Sequence, residues 1–151
     1  MKLVLIQHAE AVSEDIDPRR PLSEAGRKQA ARMESFLSRL GLGPCRLYHS
    51  GKLRAAQTAE YAVRAAGVAS AAVYDCIGPN DQISPCIGLI SPVEDDIIIV
   101  GHMPFLGKLA SFLLASDEKL PIIDFSNGSP CILERIGSRY TLHAYVRNDY
   151  C

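Results

Sequence analysis

The 151-residue sequence has no tryptophan, no Cys-x-x-Cys pair, no internal repeat and no strong excess of either charge. Each absence narrows what the chain can do. With no His or Cys pair at ligand spacing, a zinc site is not expected. A formal net charge of −1 gives no general drive toward nucleic acid or anionic lipid, so neither is an expected partner. No apolar run approaches the roughly 20 residues that span a bilayer. Met1-Lys2 leads straight into a short apolar segment, unlike a leader with a small-residue cleavage site. Five cysteines, an odd number and widely spaced, read as reduced and mostly buried thiols of a cytoplasmic protein. Nothing in the sequence demands more than a monomer.

What is present is an ordinary globular balance, 48% hydrophobic and 22% charged, at a length that suits one domain over residues 1–151. Strand-like and helix-like patterns alternate, which predicts an α/β fold with a mainly parallel sheet. Residues 2–7 form a near-continuous apolar run, as in a strand covered on both faces. A polar loop from about Glu10 to Leu22 follows, and Ser23 is placed to cap a helix. Met33, Phe36, Leu37 and Leu40 fall on one face of that helix, and Gly41 is its expected stop. Arg46–His49 reads as a second strand, with Ser50 as cap of a helix running to Gly67. Residues 71–74 are a third candidate strand. Between Cys76 and Pro92, three prolines leave room for at most a short helix. A strand over Asp96–Gly101 precedes a helix starting near Pro104. Pro130–Arg135 and Tyr140–Tyr145 read as a hairpin around a turn at Ile136–Arg139.

Two of these strands end on a histidine, His8 and His102. Ligands of open α/β sheets bind at the carboxyl ends of the strands, so both imidazoles arrive where a site is expected. Arg54 lies in the first turn of a helix that follows a third strand, and Glu10 and Arg20 lie in the loop after His8. Helix N-termini favour anions, and a guanidinium matches a phosphate bidentately. Two histidines and an arginine at one sheet edge therefore suggest chemistry on a phosphoryl group. His49 also ends a strand and stays ambiguous, whereas His143 reads as structural or exposed.

Four short motifs in fixed order carry a resemblance. They are Gln7-His8-Ala9-Glu10-Ala11, Arg20-Pro21-Leu22-Ser23-Glu24-Ala25-Gly26, Ser50 with Arg54, Gln57 and Thr58, and Gly101-His102-Met103-Pro104. In this order the chain resembles the histidine phosphatase (phosphoglycerate-mutase-like) superfamily, most closely its small SixA-type phosphohistidine phosphatases. The resemblance implies a single-domain, three-layer α/β/α sandwich without a large cap insertion. It implies that the neutral imidazole of His8 attacks phosphorus to form a covalent phosphohistidine, which water hydrolyses. Arg20, Arg54 and His102 would surround the phosphoryl oxygens, with no metal or other cofactor. A proton for the leaving group would come from Asp81 or Glu10, although Asp81 reads equally as a turn residue. The loop Ser126–Ser129 lies where the site of the family closes.

The chain departs from the family beside the nucleophile. Gln7 stands where the family has arginine and Ala9 where it has glycine. Gln7 can still donate an N–H to a phosphoryl oxygen, and Ala9 would be strained if that position required a positive φ. Three functions are compatible with this pattern. One is a phosphohistidine phosphatase acting on a phosphorylated protein, such as a phosphorelay histidine domain, which the short connection between Arg54 and His102 favours. The second is a phosphomonoesterase for a small phosphate ester, which a firm acid at Asp81 and an enclosed pocket would favour. The third is a non-catalytic module that binds phosphate or phosphohistidine.

Overall fold

A computed structural model describes residues 1–151. Six strands form one sheet: β1 (Lys2–Gln7), β2 (Cys45–His49), β3 (Ala72–Val73), β4 (Asp96–Gly101), β5 (Pro130–Ile136) and β6 (Arg139–Tyr145). Their spatial order is β3-β2-β4-β1-β5-β6. The first four are mutually parallel, and β5 and β6 continue the sheet antiparallel beyond β1. The helices are α1 (Glu24–Ser38), α2 (Leu53–Ala66), α3 (Ser84–Ile90) and α4 (Phe105–Ala115). This is the expected three-layer architecture, and only β3 and the seven-residue α3 lie between α2 and β4.

Alternation along the central strands assigns the layers. Val4 and Ile6 of β1, with Ile98 and Val100 of β4, pack against Met33 and Leu37 of α1 and Ala55, Ala59 and Ala62 of α2. Leu3 and Leu5, with Ile97 and Ile99, face the opposite layer, where Cys86 and Ile90 of α3 meet Phe105, Leu106 and Leu109 of α4. Both faces of β1 and β4 are thus covered, which is why these strands read as unbroken apolar runs. No helix of the chain is long and apolar enough to cross a membrane.

Local signals behave as their chemistry requires, with three displacements. Ser23 caps α1, its Oγ accepting from the Gly26 N–H at 2.9 Å. Gly67 ends α2 at φ +65. The expected stop at Gly41 (φ +63) comes after the helix has already ended at Ser38, so this glycine turns the chain toward β2 instead. Pro104 immediately precedes α4 rather than entering its first turn. Ser50 does not cap α2: Lys52 occupies the cap without a side-chain bond, and the Ser50 hydroxyl is engaged elsewhere.

Gly26 has a steric requirement that its motif does not reveal. A Cβ there would stand 1.9 Å from the carbonyl oxygen of Glu10. The start of α1 therefore packs directly on the backbone that leaves the first strand. A Gly26→Ala variant is expected to lose about 1–3 kcal/mol through overpacking, read as a lower urea midpoint. An unchanged midpoint would show that the loop after β1 moves aside at no cost.

Candidate active site

The carboxyl ends of β1, β2 and β4 converge, and the loop after β1 is held there through its backbone. The His8 N–H donates to the Gly101 carbonyl at the end of β4 (3.0 Å). The Asn127 amide donates to the His8 carbonyl (2.7 Å). The Ala9 N–H donates to Thr58 Oγ1 (3.0 Å), and Gln29 Oε1 accepts from the Glu10 N–H (2.8 Å). On α2, Gln57 Oε1 accepts from the Leu22 N–H at 2.7 Å. Arg54, Gln57 and Thr58 lie three and four residues apart, so they share one helix face, and that face grips the loop. The spacing of the third motif thus has a mechanical cause.

The His8 ring is fixed in one tautomer. Its Nδ1 lies 2.7 Å from the Ala9 carbonyl, which can only accept, so Nδ1 carries the proton. Its Nε2 lies 3.0 Å from Nε of Arg54, which can only donate, so Nε2 presents a lone pair. His102 stands beside it, with ring centroids 4.9 Å apart and planes at 58°. The His102 ring is 2% exposed, and its Nε2 lies 2.6 Å from Ser50 Oγ. The Ser50 hydroxyl is thus committed to this buried imidazole and not to the start of α2, while Nδ1 of the same ring is buried without a hydrogen-bond partner.

Both imidazoles are held neutral. Burial, opposed by the hydrogen bond to the Ala9 carbonyl and reinforced by the Arg54 and Arg20 charges, lowers the pKa of His8 from 6.5 to about 4. Burial, His8, Arg54, Lys52 and Arg20 lower that of His102 to about 3. Burial and the neighbouring Arg20 also lower the pKa of Arg54. Three cationic side chains, Arg20, Lys52 and Arg54, therefore act on the imidazoles. Lys52 was not singled out by the sequence, where only its place at the start of α2 marks it.

In an NMR titration, neither ring is expected to titrate between pH 5.5 and 8. His8 should reach its midpoint near 4 and His102 near 3. Because an unfolded chain takes up these protons near 6.5, the same two groups contribute stability that is complete above 6.5. It is lost as pH falls toward 4 and then 3. A midpoint between 6 and 7 for His8 would contradict the buried, cation-flanked geometry.

Arg20 adopts a left-handed backbone (φ 52), and its Nε donates to the Val12 carbonyl (3.3 Å). Such a conformation in a non-glycine residue costs on the order of 1–3 kcal/mol and is concentrated at functional sites. Gln7 sits beside His8 with its amide oxygen buried and without a hydrogen-bond partner. Ala9 is not among the residues with positive φ. Its fully buried methyl group packs with Leu22 and Ala30, so alanine is accommodated without strain.

The two candidate acids are engaged locally. Asp81 Oδ2 accepts from the Gly78 N–H (2.6 Å), closing its own turn. Asp81 lines a cavity of about 530 Å³ together with Lys108, Phe112 and Glu118, and His8, Arg54 and His102 are not among the lining residues. Glu10 is exposed and accepts from the Ser23 hydroxyl (2.6 Å). His49 Nδ1 accepts from the Gly51 N–H (3.1 Å) and closes the turn after β2. His143, out on β6, stands 3.8 Å from Glu134.

Comparisons with known proteins bear on the fold and the family. The model of the histidine phosphatase superfamily (branch 1) matches residues 3–75. The protein histidine phosphatase SixA, solved with tungstate, superposes with a TM-score of 0.84 at 20% identity, over 99% of this chain and 98% of that one. A mycobacterial glucosyl-3-phosphoglycerate phosphatase gives 0.75 at 17% identity, over 97% of this chain and 98% of that one. An H9A mutant of phosphoserine phosphatase from Entamoeba histolytica, solved with phosphoserine, gives 0.72 at 14% identity over 99% and 98%. No curated protein matches the sequence significantly. The family model over residues 3–75, together with the fold that the whole chain shares with these phosphatases, supports the histidine phosphatase superfamily.

Proposed function

We propose that this protein is a phosphatase that removes phosphate from a histidine of another protein through a covalent intermediate on His8. The tautomer of His8 carries this reading: a neutral ring, protonated at Nδ1, with its Nε2 lone pair directed at a guanidinium. When a phosphoryl group binds, the Arg54 N–H exchanges Nε2 for a phosphoryl oxygen. Hydrogen bonds between opposite charges then replace one from the guanidinium to a neutral ring. Nε2 attacks phosphorus in line, the P–N bond breaks to release the substrate imidazole as a neutral ring that keeps the proton on its other nitrogen, and a P–Nε2 bond forms. Water then attacks phosphorus, the P–Nε2 bond breaks and inorganic phosphate leaves. Phosphoryl transfer asks the protein mainly for positioning and charge stabilisation, which Arg54, Arg20 and His102 supply around the equatorial oxygens.

A protein substrate is supported by two observations. The carboxylate of the candidate acid Asp81 is committed to the Gly78 N–H of its own turn. An imidazole leaving group needs such an acid less than an alkoxide does. The connection between α2 and β4 also holds only β3 and α3, which leaves the carboxyl edge of the sheet free of a large covering segment.

The test is phosphate release from a phosphohistidine protein and from p-nitrophenyl phosphate, each with and without EDTA. Faster release from the phosphohistidine protein, unchanged by EDTA, is expected. Release from the ester alone would establish a metabolite phosphatase. Loss with EDTA reversed by metal would contradict the charge assignment. No release from either donor would favour a phosphate-binding module.

A further inference from the structure

We propose that Asn148, on the 3-10 turn Asn148–Tyr150, is a positioning residue for His8: it clamps together the two segments that hold the backbone around the nucleophile. The inference rests on the proposed role of His8. Asn148 is 5% exposed and fully engaged. Its Nδ2 donates to the Gly128 carbonyl (2.9 Å) and to the Gln29 carbonyl on α1 (2.8 Å). Its backbone N–H donates to Ser129 Oγ (2.9 Å). Arg32 of α1 locks the amide in this orientation, Nη2 and Nε donating to Oδ1 at 2.7 and 3.0 Å.

The two clamped segments reach the nucleophile directly. From the loop 126–129, the Gly128 N–H donates to the Gln7 carbonyl (2.9 Å) and the Asn127 amide to the His8 carbonyl (2.7 Å). From α1, Gln29 Oε1 takes the Glu10 N–H (2.8 Å). Asn148 therefore joins the supports on either side of residues 7–10. Gly128 fits this junction as glycine must: it sits at φ +66, and a Cβ would come within 3.0 Å of the Asn148 amide nitrogen. Only an amide serves here. A carboxylate could still accept from Arg32 but could not donate to the Gly128 and Gln29 carbonyls.

The experiment compares Asn148→Ala, Asn148→Asp, Arg32→Ala and Asn127→Ala, with Arg135→Ala as a control. Arg135 ties Ser91 and Val93 through their carbonyls, and its own N–H bonds Met1 at the far end of β1. For Asn148→Ala and Asn148→Asp, kcat is expected to fall about tenfold to a hundredfold, as for a reacting group displaced by about 1 Å. Affinity for tungstate, used as a ground-state oxyanion, should change little. The His8 midpoint should move up from about 4 as its burial loosens. Arg32→Ala, which removes only an exposed guanidinium, keeps the test alive if the Asn148 variants do not fold, and should give the same changes at smaller amplitude. Asn127→Ala and Asn148→Ala should be non-additive in kcat, since both act through one contact chain.

Arg135→Ala should lower the melting temperature without moving kcat or the His8 midpoint. If the Asn148 and Arg32 variants behave like Arg135→Ala, or if the double variant is additive, the positioning role is overturned. If the wild-type protein turns over no phosphodonor, the proposed function fails, and the His8 titration alone decides the clamp.

Discussion

His8→Ala is expected to lower phosphate release by at least about a thousandfold, because removing the proposed nucleophile leaves only binding and electrostatic catalysis. Stability should be almost unchanged. The imidazole bonds only the carbonyl of its own neighbour and the Arg54 side chain, and the strand before it is fixed independently by β4 and β5. Quenching in alkaline detergent during turnover should trap base-stable, acid-labile phosphate on the wild-type protein and none on the variant. Near wild-type turnover in His8→Ala would remove His8 from the mechanism. Trapped phosphate in that variant would relocate the nucleophile, with His102 as the next imidazole to examine.

Arg54→Ala should have the second-largest effect, about a hundredfold to ten-thousandfold in kcat, within the range spanned by an oxyanion donor and an arginine finger. Arg54 has two tasks here. Its Nε–H orients the His8 lone pair at 3.0 Å, and its charge helps keep both imidazoles neutral. Losing it should weaken tungstate binding by at least about tenfold, the worth of one charge-assisted bond. It should also raise the His8 midpoint above its value of about 4. Arg54→Lys should recover binding better than turnover, since an ammonium restores the charge without the planar N–H fork. Unchanged tungstate affinity in Arg54→Ala would exclude Arg54 from the phosphoryl site.

The legibility of the site varied with the kind of interaction. His8, Arg54 and His102 could be placed together because each follows a strand of strong apolar pattern, and a parallel sheet gathers carboxyl ends at one edge. The proton position on His8 could not be read, because it depends on the Ala9 carbonyl turning back toward its own ring. Ser50 shows the opposite case. Its local signal, a serine before a helix, predicts a cap, and the cap falls on Lys52 instead. The competing partner, His102, is 52 residues away in sequence. Asp81 shows how a charged residue in a turn satisfies the nearest N–H first. The loop Ser126–Ser129 was visible only as a loop near the site, whereas Asn148 carried no signal at all. Its side-chain and backbone contacts join α1, the loop and the final turn, which are far apart in the chain.

By itself the sequence determined the alternation of strands and helices, their order along the chain, and the set of polar side chains delivered to one edge. Hydrophobic periodicity and short capping signals are local and are spelled directly in consecutive residues. The tertiary structure decided which of those side chains meet, which protonation states burial and neighbouring cations impose, and which glycine has backbone pressed against it. These depend on desolvation and on distances between residues far apart in the chain, quantities fixed only once the sheet has closed and both faces are covered.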